Sequence, residues 1–318
     1  MSIFLIILII ILVIIISGGI FTYFYCGGIA KRVYSEMLVR TSPDKWGRAC
    51  SAPEIEEHLE MWNRGVRWAD GNKSFMKEVQ VENDGFRLCG QYFDFGNDKA
   101  VIIIPGRSES LMYSYYFAIP YQKAGCNVLV IDIRSHGNSE GTYAYVCSGE
   151  DGDLLKWAEM LNKDFGISRI ILHGICIGAG TCVLVTARDN CPDYISAVVS
   201  EGGYISFPET FRQHMRQINK PVYPVMPMVM HELKKHTGTD VYKTRPIDFI
   251  NKTRVPYLFL CGKKDLSSLP EKSQMLFDKC GSKDKTIVWF EEGVHSHLRI
   301  ANEEKYDSTI YDFVQRRF

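Results

Sequence analysis

The sequence predicts an α/β fold with a mostly parallel sheet and helices on both faces of that sheet. Short apolar runs, mostly of β-branched residues, recur along the chain, and helix-length segments lie between them. Continuous apolar strands that alternate with helices are typical of buried parallel sheets. The runs cover residues 100–104, 128–133, 170–172, 195–200, 255–261 and 286–290, and the helical segments cover 111–124, 150–165, 179–189, 271–279 and 303–317.

The composition is that of an ordinary globular protein. Hydrophobic residues make up 46% of the 318 residues and charged residues 23%, so the chain can bury a large core. Lys and Arg together number 37, as do Asp and Glu, and this balance excludes nucleic acid as an expected partner. The 10 cysteines permit a secreted disulfide framework. Because several of them lie in or beside strand-like runs, we instead expect a reducing compartment with mostly buried free thiols.

The N-terminal segment predicts a membrane anchor. Residues 3–16 form an unbroken apolar run, and no charged side chain occurs before Lys31. From residue 3 to residue 25 the chain can form a helix of about 20 residues or more, which is enough to span the hydrocarbon core of a bilayer. Aromatic residues at the end of this segment are typical of a membrane interface. We predict that residues 1–30 form a single transmembrane anchor.

Two other interpretations of the N-terminus involve processing. A cleaved signal peptide would begin with a basic region, whereas only Met1 and Ser2 precede the apolar run. Lipidation of Cys26 would be expected after a small residue, and Tyr25 is bulky. The residue pattern therefore favours an uncleaved anchor.

Basic residues set the expected orientation of the anchor. Lys31, Arg32, Arg40 and Lys45 all follow the apolar segment. Because positively charged flanks stay on the cytoplasmic side, we expect the C-terminal bulk of this single-pass protein to face the cytoplasm.

The rest of the chain divides into two parts. Residues 31–76 are polar and mixed, with a helical patch at 55–62, and predict a juxtamembrane linker followed by a helix. Residues 77–318 contain the strand-like runs and predict the α/β domain, which begins with antiparallel strands around a turn at residues 83–85. The interval 201–253 is longer than one crossover needs, and we expect it to form a small lid.

The segment after the third run carries the strongest chemical signal. Residues 174–178 read Gly-Ile-Cys-Ile-Gly, the G-x-S-x-G pattern of a nucleophile elbow with cysteine in place of serine. An elbow is a strained strand-to-helix turn, and Gly174 and Gly178 leave room for it. Such a turn would hold Cys176 at a helix N-terminus, which favours the thiolate. The alternative is that Cys176 is only a small buried hydrophobe.

A thiol nucleophile needs a base, and the base needs an acid that orients it. In folds with this elbow, the chain order is nucleophile, acid, histidine. Asp265 follows the fifth run and His295 follows the sixth, so both lie at carboxyl ends of strands, where function sits in parallel sheets. We predict a triad of Cys176, His295 and Asp265, with Glu201 as the alternative acid and His297 as the alternative base. No third ligand accompanies the histidines, so we expect neither a metal nor a cofactor.

Acyl transfer also needs two N–H donors for the developing oxyanion. Ile177 directly follows the nucleophile, and Arg107 lies in the turn after the first run. We predict that the backbone N–H groups of these two residues form the oxyanion hole. The side chain of Arg107 could meet an anionic substrate, but a solvated arginine is the expectation.

These motifs resemble the α/β-hydrolase superfamily, in particular its branch of lysophospholipases, monoacylglycerol lipases and serine aminopeptidases. Residues 105–110 resemble the oxyanion turn of bacterial lysophospholipases, and residues 132–141 resemble the D-x-R-G-H-G-x-S-x-G stretch of the branch. The resemblance covers about residues 77–318 and implies an α/β-hydrolase catalytic domain there. It also implies structural rather than catalytic roles for Asp132 and His136.

The sequence departs from the branch at three positions. Ser135 stands where the branch has a glycine, Pro105 stands where it has a histidine, and Cys176 stands where it has the serine nucleophile. Cysteine nucleophiles occur elsewhere in the superfamily, in dienelactone hydrolases and bile-acid acyltransferases. The resemblance is therefore compatible with activity, but it leaves the lipase substrate class open.

Together these features predict a membrane-anchored hydrolase of carboxylic esters or thioesters that forms a thioacyl-enzyme. The expected partner is a small-molecule or lipid-like acyl substrate, since residues 221–230 of the lid are apolar and rich in methionine. Two alternatives stay open. One is an acyltransferase that uses the same triad, and the other is a catalytically inactive hydrolase-fold binding module.

Overall fold

The centre of the molecule is one eight-stranded sheet. A computed structural model describes residues 3–317. The strands are β1 (Met76–Asn83), β2 (Phe86–Phe93), β3 (Lys99–Ile104), β4 (Asn127–Ile131), β5 (Arg169–Ile175), β6 (Ile195–Glu201), β7 (Tyr257–Gly262) and β8 (Lys285–Phe290). Their order in the sheet is β1-β2-β4-β3-β5-β6-β7-β8. Strands β1 and β2 pair antiparallel with each other and β2 with β4, and all other neighbours pair parallel.

Helices connect the strands and cover both faces of the sheet. They are α1 (Ile3–Leu38), α2 (Glu56–Gly71), α3 (Leu111–Lys123), α4 (Glu150–Phe165), α5 (Ile177–Thr186), α6 (Phe207–Gln217), α7 (Val225–Thr237), α8 (Pro246–Phe249), α9 (Pro270–Lys279), α10 (Leu298–Ala301) and α11 (Glu303–Gln315). Short 3-10 helices lie at Lys73–Phe75 and Ile250–Lys252. The mostly parallel sheet with helices on both faces confirms the predicted fold class.

Alternation along the strands produces two hydrophobic cores. In β3, Val101 and Ile103 point to a core shared with α3 and α11. Ala100, Ile102 and Ile104 point to the opposite core, which α4 and α5 cover. Because successive side chains of a strand face opposite sides, a fully apolar strand supplies both cores at once. This explains why the predicted runs are continuous rather than alternating.

Helix α1 has two parts with different surroundings. Its apolar N-terminal part is exposed, and α1 is the one helix within residues 3–317 that is long and apolar enough to cross a membrane. Its C-terminal part packs against α7 and the neighbouring loops through one face of the helix, and the ring of Tyr34 stacks on His236 at a centroid distance of 5.5 Å.

The helix continues to Leu38 and does not end near residue 30, so the expected linker begins inside the helix. The division of the chain into anchor, linker and catalytic domain stays a prediction.

The segment between β6 and β7 lies outside the sheet. It contains α6, α7 and α8, and its apolar side chains form a third core with the C-terminal part of α1. Residues 201–253 are therefore largely helical. Whether the segment acts as a lid stays a prediction.

Candidate active site

The turn between β5 and α5 holds Cys176 in an unusual backbone conformation. Strand β5 ends at Ile175 and helix α5 begins at Ile177, so one residue makes the whole turn. The backbone angles of Cys176 are φ 53° and ψ −109°. Residues with side chains rarely adopt a positive φ, and such strain clusters at functional sites. The conformation is the one expected for a nucleophile elbow.

Two glycines make this turn possible. A Cβ atom at Gly174 would lie 2.3 Å from the carbonyl oxygen of Gly178, and one at Gly178 would lie 2.4 Å from the carbonyl oxygen of Ile104. Neither distance is compatible with a side chain. The start of α5 can therefore approach β5 and β3 only because both positions lack a Cβ.

His295 and Asp265 are joined at the carboxyl ends of β8 and β7. The Nδ1 atom of His295 lies 2.8 Å from Oδ2 of Asp265. The other carboxylate oxygen of Asp265 accepts hydrogen bonds from the backbone N–H groups of Ser267 at 2.8 Å and Ser268 at 2.7 Å. These bonds orient the buried carboxylate and leave one oxygen for the imidazole. The structure thus brings the predicted base and the predicted acid into contact.

Glu201, the alternative acid, contacts other residues instead of His295. It is fully buried at the end of β6, and its Oε2 accepts a hydrogen bond from the hydroxyl of Tyr306 at 2.5 Å. The Nε2 atom of His173 is 4.0 Å from the same oxygen. Burial raises the pKa of Glu201 to about 7. No hydrogen bond links Glu201 to His295 within the described residues.

Cys176 and His295 line one cavity of about 190 Å³. The Nε2 atom of His295 has no hydrogen-bond partner among residues 3–317 and so remains available for the thiol. The full lining consists of His58, Gly106, Arg107, Glu109, Tyr113, Ile175, Cys176, His295, Ser296 and His297.

Burial and neighbouring charges shift the pKa values of Cys176 and His295. Burial by itself raises the pKa of Cys176, but the charges of His295 and Arg107 outweigh it, and the pKa lies below its ordinary value. Burial by itself lowers the pKa of His295, whereas Cys176 and Asp265 raise it, and the pKa lies well above its ordinary value. Both shifts favour a thiolate beside an imidazolium, which is the reactive form of a cysteine nucleophile.

The two predicted oxyanion donors lie near Cys176. Ile177 is the first residue of α5, where backbone N–H groups have no partner within the helix. Arg107 lies in the turn after β3, directly after Gly106, which also lines the cavity. Among residues 3–317, neither N–H group donates to another backbone carbonyl. Both are therefore free to donate to a substrate oxygen.

The side chain of Arg107 differs from the expectation. A solvated arginine was expected, but the side chain is half-buried and its Nη1 donates a hydrogen bond to the carbonyl oxygen of Met37 at 3.0 Å. Met37 lies in the last turn of α1, where the backbone carbonyls have no partner within the helix. The sequence could not reveal this contact, because 70 positions separate the two residues.

The segment expected to be a linker supplies part of the cavity wall. The hydroxyl of Ser51 donates to Glu109 at 2.6 Å and lies 2.9 Å from Nε2 of His58. The Nδ1 atom of His58 is 3.3 Å from Nε2 of His297. His297 is thus a wall residue and does not contact Asp265. Sequence analysis missed Ser51 and His58, since neither lies in a recognisable motif.

The Asp132 stretch supports the oxyanion turn without lining the cavity. The buried carboxylate of Asp132 accepts a hydrogen bond from the N–H of Leu111 at 2.8 Å, and Nε2 of His136 accepts one from the N–H of Ser108 at 3.3 Å. Ser135 adopts a positive φ of 68°, a conformation that favours glycine. Within residues 3–317, no group of three or more His, Cys, Asp or Glu side chains is arranged to hold a metal.

Comparisons of the sequence relate the chain to known proteins. A family profile described as alpha/beta hydrolase fold matches residues 99–226. The uncharacterized protein YqkD of Bacillus subtilis is 27% identical over 256 residues, which cover 77% of this chain and 83% of that protein. An uncharacterized membrane protein of Saccharomyces cerevisiae is 22% identical over 246 residues, which cover 76% of this chain and 79% of that protein.

Solved structures of esterases share the architecture. The esterase Pf2001 of Pyrococcus furiosus superposes with a TM-score of 0.65 at 23% identity, over 79% of this chain and 94% of that one. An esterase of Exiguobacterium antarcticum superposes with a TM-score of 0.57 at 15% identity, over 75% of this chain and all of that one. Identities this low carry information about the fold and not about the substrate. The sheet order, the elbow and these similarities agree, and the chain is a protein of the α/β-hydrolase fold.

Proposed function

We propose that this protein is a membrane-anchored hydrolase of carboxylic esters or thioesters in which Cys176 is the nucleophile. His295 is the general base, and Asp265 orients it. One observation carries the proposal. Cys176 adopts a strained positive φ at the β5–α5 turn and shares a cavity with a histidine whose Nδ1 is held by a buried carboxylate. A merely structural cysteine would need none of these features.

The first half of the reaction forms a thioacyl-enzyme. The Nε2 atom of His295 takes the proton of the Cys176 thiol, and the thiolate attacks the carbonyl carbon of the substrate. The carbonyl oxygen becomes an oxyanion that accepts hydrogen bonds from the N–H groups of Arg107 and Ile177. When the tetrahedral intermediate collapses, the alcohol or thiol leaves with the proton of the imidazolium.

The second half releases the acid. His295 removes a proton from a water molecule, and the hydroxide attacks the thioester carbon. The intermediate forms against the same two N–H groups and collapses to a carboxylic acid and the Cys176 thiolate. The thiolate and the imidazolium are thereby restored as a pair. Asp265 supports both halves, because its bond to Nδ1 keeps Nε2 free for proton transfer.

Membrane anchoring is the second component of the proposal. The exposed apolar part of α1 is long enough to span a bilayer, and a relative from yeast is described as a membrane protein. The basic residues Lys31, Arg32, Arg40 and Lys45 follow this part, which supports a cytoplasmic catalytic domain. The resemblance to lysophospholipases and monoacylglycerol lipases supports acyl esters as the substrate class.

Activity of the purified full chain in detergent micelles tests the proposal. We expect turnover of p-nitrophenyl esters or acyl-CoA thioesters within a series of varied chain length. Cys176→Ala should lower kcat/KM by roughly a thousandfold or more, because it removes the attacking atom. Cys191→Ala, at another partly exposed cysteine, should leave it unchanged. Equal activity of wild type and Cys176→Ala would remove the nucleophile assignment, and no turnover with any substrate would favour an inactive binding module.

A further inference from the structure

Arg107 is a half-buried cation without an acidic partner. No carboxylate among residues 3–317 lies within salt-bridge distance of its guanidinium, whereas the buried Arg134 and Arg299 each pair with aspartate. A charge removed from water is normally paired, because its desolvation is otherwise uncompensated. Burial accordingly lowers the pKa of Arg107. An anionic ligand can therefore supply the partner that this guanidinium lacks.

The contact with α1 uses only part of the hydrogen-bonding capacity of Arg107. Its one hydrogen bond to a described residue runs from Nη1 to the carbonyl oxygen of Met37. A guanidinium carries several N–H donors in a planar fork that fits carboxylate and phosphate groups. The bond to Met37 fixes the position of the fork, and the remaining donors are free. Arg107 lines the same cavity as Cys176.

The other polar groups of the cavity are compatible with an anion. Burial raises the pKa of Glu109 to about 7, so this carboxyl is partly protonated near neutral pH. One of its oxygens is already held by the hydroxyl of Ser51. Burial lowers the pKa of His58 and of His297, and neutral imidazoles can still donate hydrogen bonds. Arg107 thus carries a full positive charge on the cavity wall, and no carboxylate among residues 3–317 pairs with its guanidinium.

We propose that the substrate of Cys176 carries an anionic group, a carboxylate or a phosphate, and that the guanidinium of Arg107 binds this group beside the nucleophile. This inference rests on the proposed function of Cys176. Arg107 and Cys176 line the same cavity of about 190 Å³, so an anion bound to the guanidinium lies close to the sulfur. The anionic group is therefore separated from the reacting carbonyl by only a few bonds.

Thiol-directed probes with different tails test this inference without relying on turnover. The reagents are methanethiosulfonates with sulfonatoethyl, carboxyethyl, hydroxyethyl and ammonioethyl tails, and all four react with a thiol in the same way. The thiolate attacks the sulfenyl sulfur, a mixed disulfide forms and methanesulfinate leaves. The rate at Cys176 is followed by mass spectrometry of its peptide in the full chain in micelles. The carboxyethyl tail presents a planar anion and the sulfonatoethyl tail a tetrahedral one, so their ratio distinguishes a carboxylate from a phosphate ligand.

We expect Cys176 of the wild type to react about tenfold faster with an anionic tail than with the hydroxyethyl tail, and slowest with the ammonioethyl tail. Arg107→Gln should abolish this preference while retaining the backbone N–H. Arg107→Lys, which preserves the charge, should retain part of it. Arg216→Gln removes an exposed arginine of α6 and should behave as wild type. Ratios within one variant are compared, because Arg107 also affects the thiolate fraction of Cys176.

The outcomes separate the two proposals. If Cys176 reacts with none of the reagents, the assignment of the nucleophile fails. If Cys176 reacts at the same rate with all the reagents, or if Arg107→Gln retains the preference for anionic tails, the anion site is wrong. The assignment of Cys176 as the nucleophile is then unaffected. Thermal unfolding of Arg107→Gln shows whether the variant is folded. If the variant is unfolded, wild type is compared with Arg107→Lys instead. Equal reaction rates of Cys176 with all four reagents in both proteins would contradict the inference.

Discussion

A Cβ atom at Gly202 would lie 2.9 Å from Cε1 of His295, so the imidazole occupies the space that a side chain at position 202 would need. Gly202 follows β6 and has a positive φ of 57°. The glycine therefore contributes twice to the position of the His295 imidazole. It turns the chain away from the strand, and it leaves room for the ring that Asp265 holds from another direction.

Gly202→Ala should lower the activity strongly and the stability only modestly. The new methyl group would push the imidazole away from Asp265 or from Cys176, and we expect kcat to fall by at least about tenfold. The positive φ adds a stability cost of about 1–2 kcal/mol. Gly166→Ala is the matched control, because Gly166 also has a positive φ, 69°, but has open space around it. It should lose similar stability and no activity. Equal activity losses in the two variants would show that strain and not contact with His295 is responsible.

Asp265→Asn should lower kcat by roughly 10³–10⁴-fold with little change in fold, because an amide cannot hold the imidazole in the required tautomer. Glu201→Gln should remain within a few-fold of wild type, since a glutamine oxygen can still accept the hydrogen bond of Tyr306. Steady-state kinetics with one ester, alongside thermal unfolding, measure both. The opposite ranking would make Glu201 the functional acid.

The reaction of Cys176 with iodoacetamide should persist to lower pH than that of an ordinary thiol. The charges of His295 and Arg107 lower the pKa of Cys176 despite its burial, so its thiolate remains as pH falls through the range where other thiols are protonated. Burial raises the pKa of Cys191 to about 11, and this residue serves as the internal comparison. Peptide mapping after timed alkylation at pH values from about 5 to 10 gives both profiles. A Cys176 profile that coincides with that of Cys191 would contradict the shift.

Leu38→Ala should destabilise the folded domain, although the residue belongs to the helix that carries the anchor. Its side chain is fully buried in the core between α1 and the segment that connects β6 to β7. A Leu→Ala change in such a core costs about 2–5 kcal/mol. Leu12→Ala, on the exposed part of the same helix, should change the unfolding temperature little. Equal unfolding temperatures for the two variants would mean that the C-terminal part of α1 does not stabilise the domain.

Local signals in the sequence were sufficient for the alternation of strands and helices outside residues 201–253 and for the place of the strand-to-helix turn at Cys176. Apolar runs and their spacing predicted β3 to β8, and the helix over residues 150–165 has the predicted bounds. Gly174 and Gly178 marked the turn because the requirement for glycine arises from neighbours only a few residues away. The assignment of Cys176, His295 and Asp265 as a triad stays a prediction, but Cys176 and His295 line one cavity and Asp265 contacts His295.

Tertiary structure decided every feature that depends on residues far apart in the chain. The partner of His295 depends on which carboxylate reaches its Nδ1 atom. Asp265 reaches it, whereas Glu201 at the end of the adjacent strand is bonded to Tyr306. The bond from Arg107 to Met37 and the contribution of His58 to the cavity wall join segments whose separation in sequence gives no periodic or motif signal. The sequence by itself thus determined the class of fold and the place of Cys176 at the strand-to-helix turn, because these follow from hydrophobic periodicity and short-range sterics. Only packing determined which charges surround Cys176, because electrostatic partners are selected by distance in space.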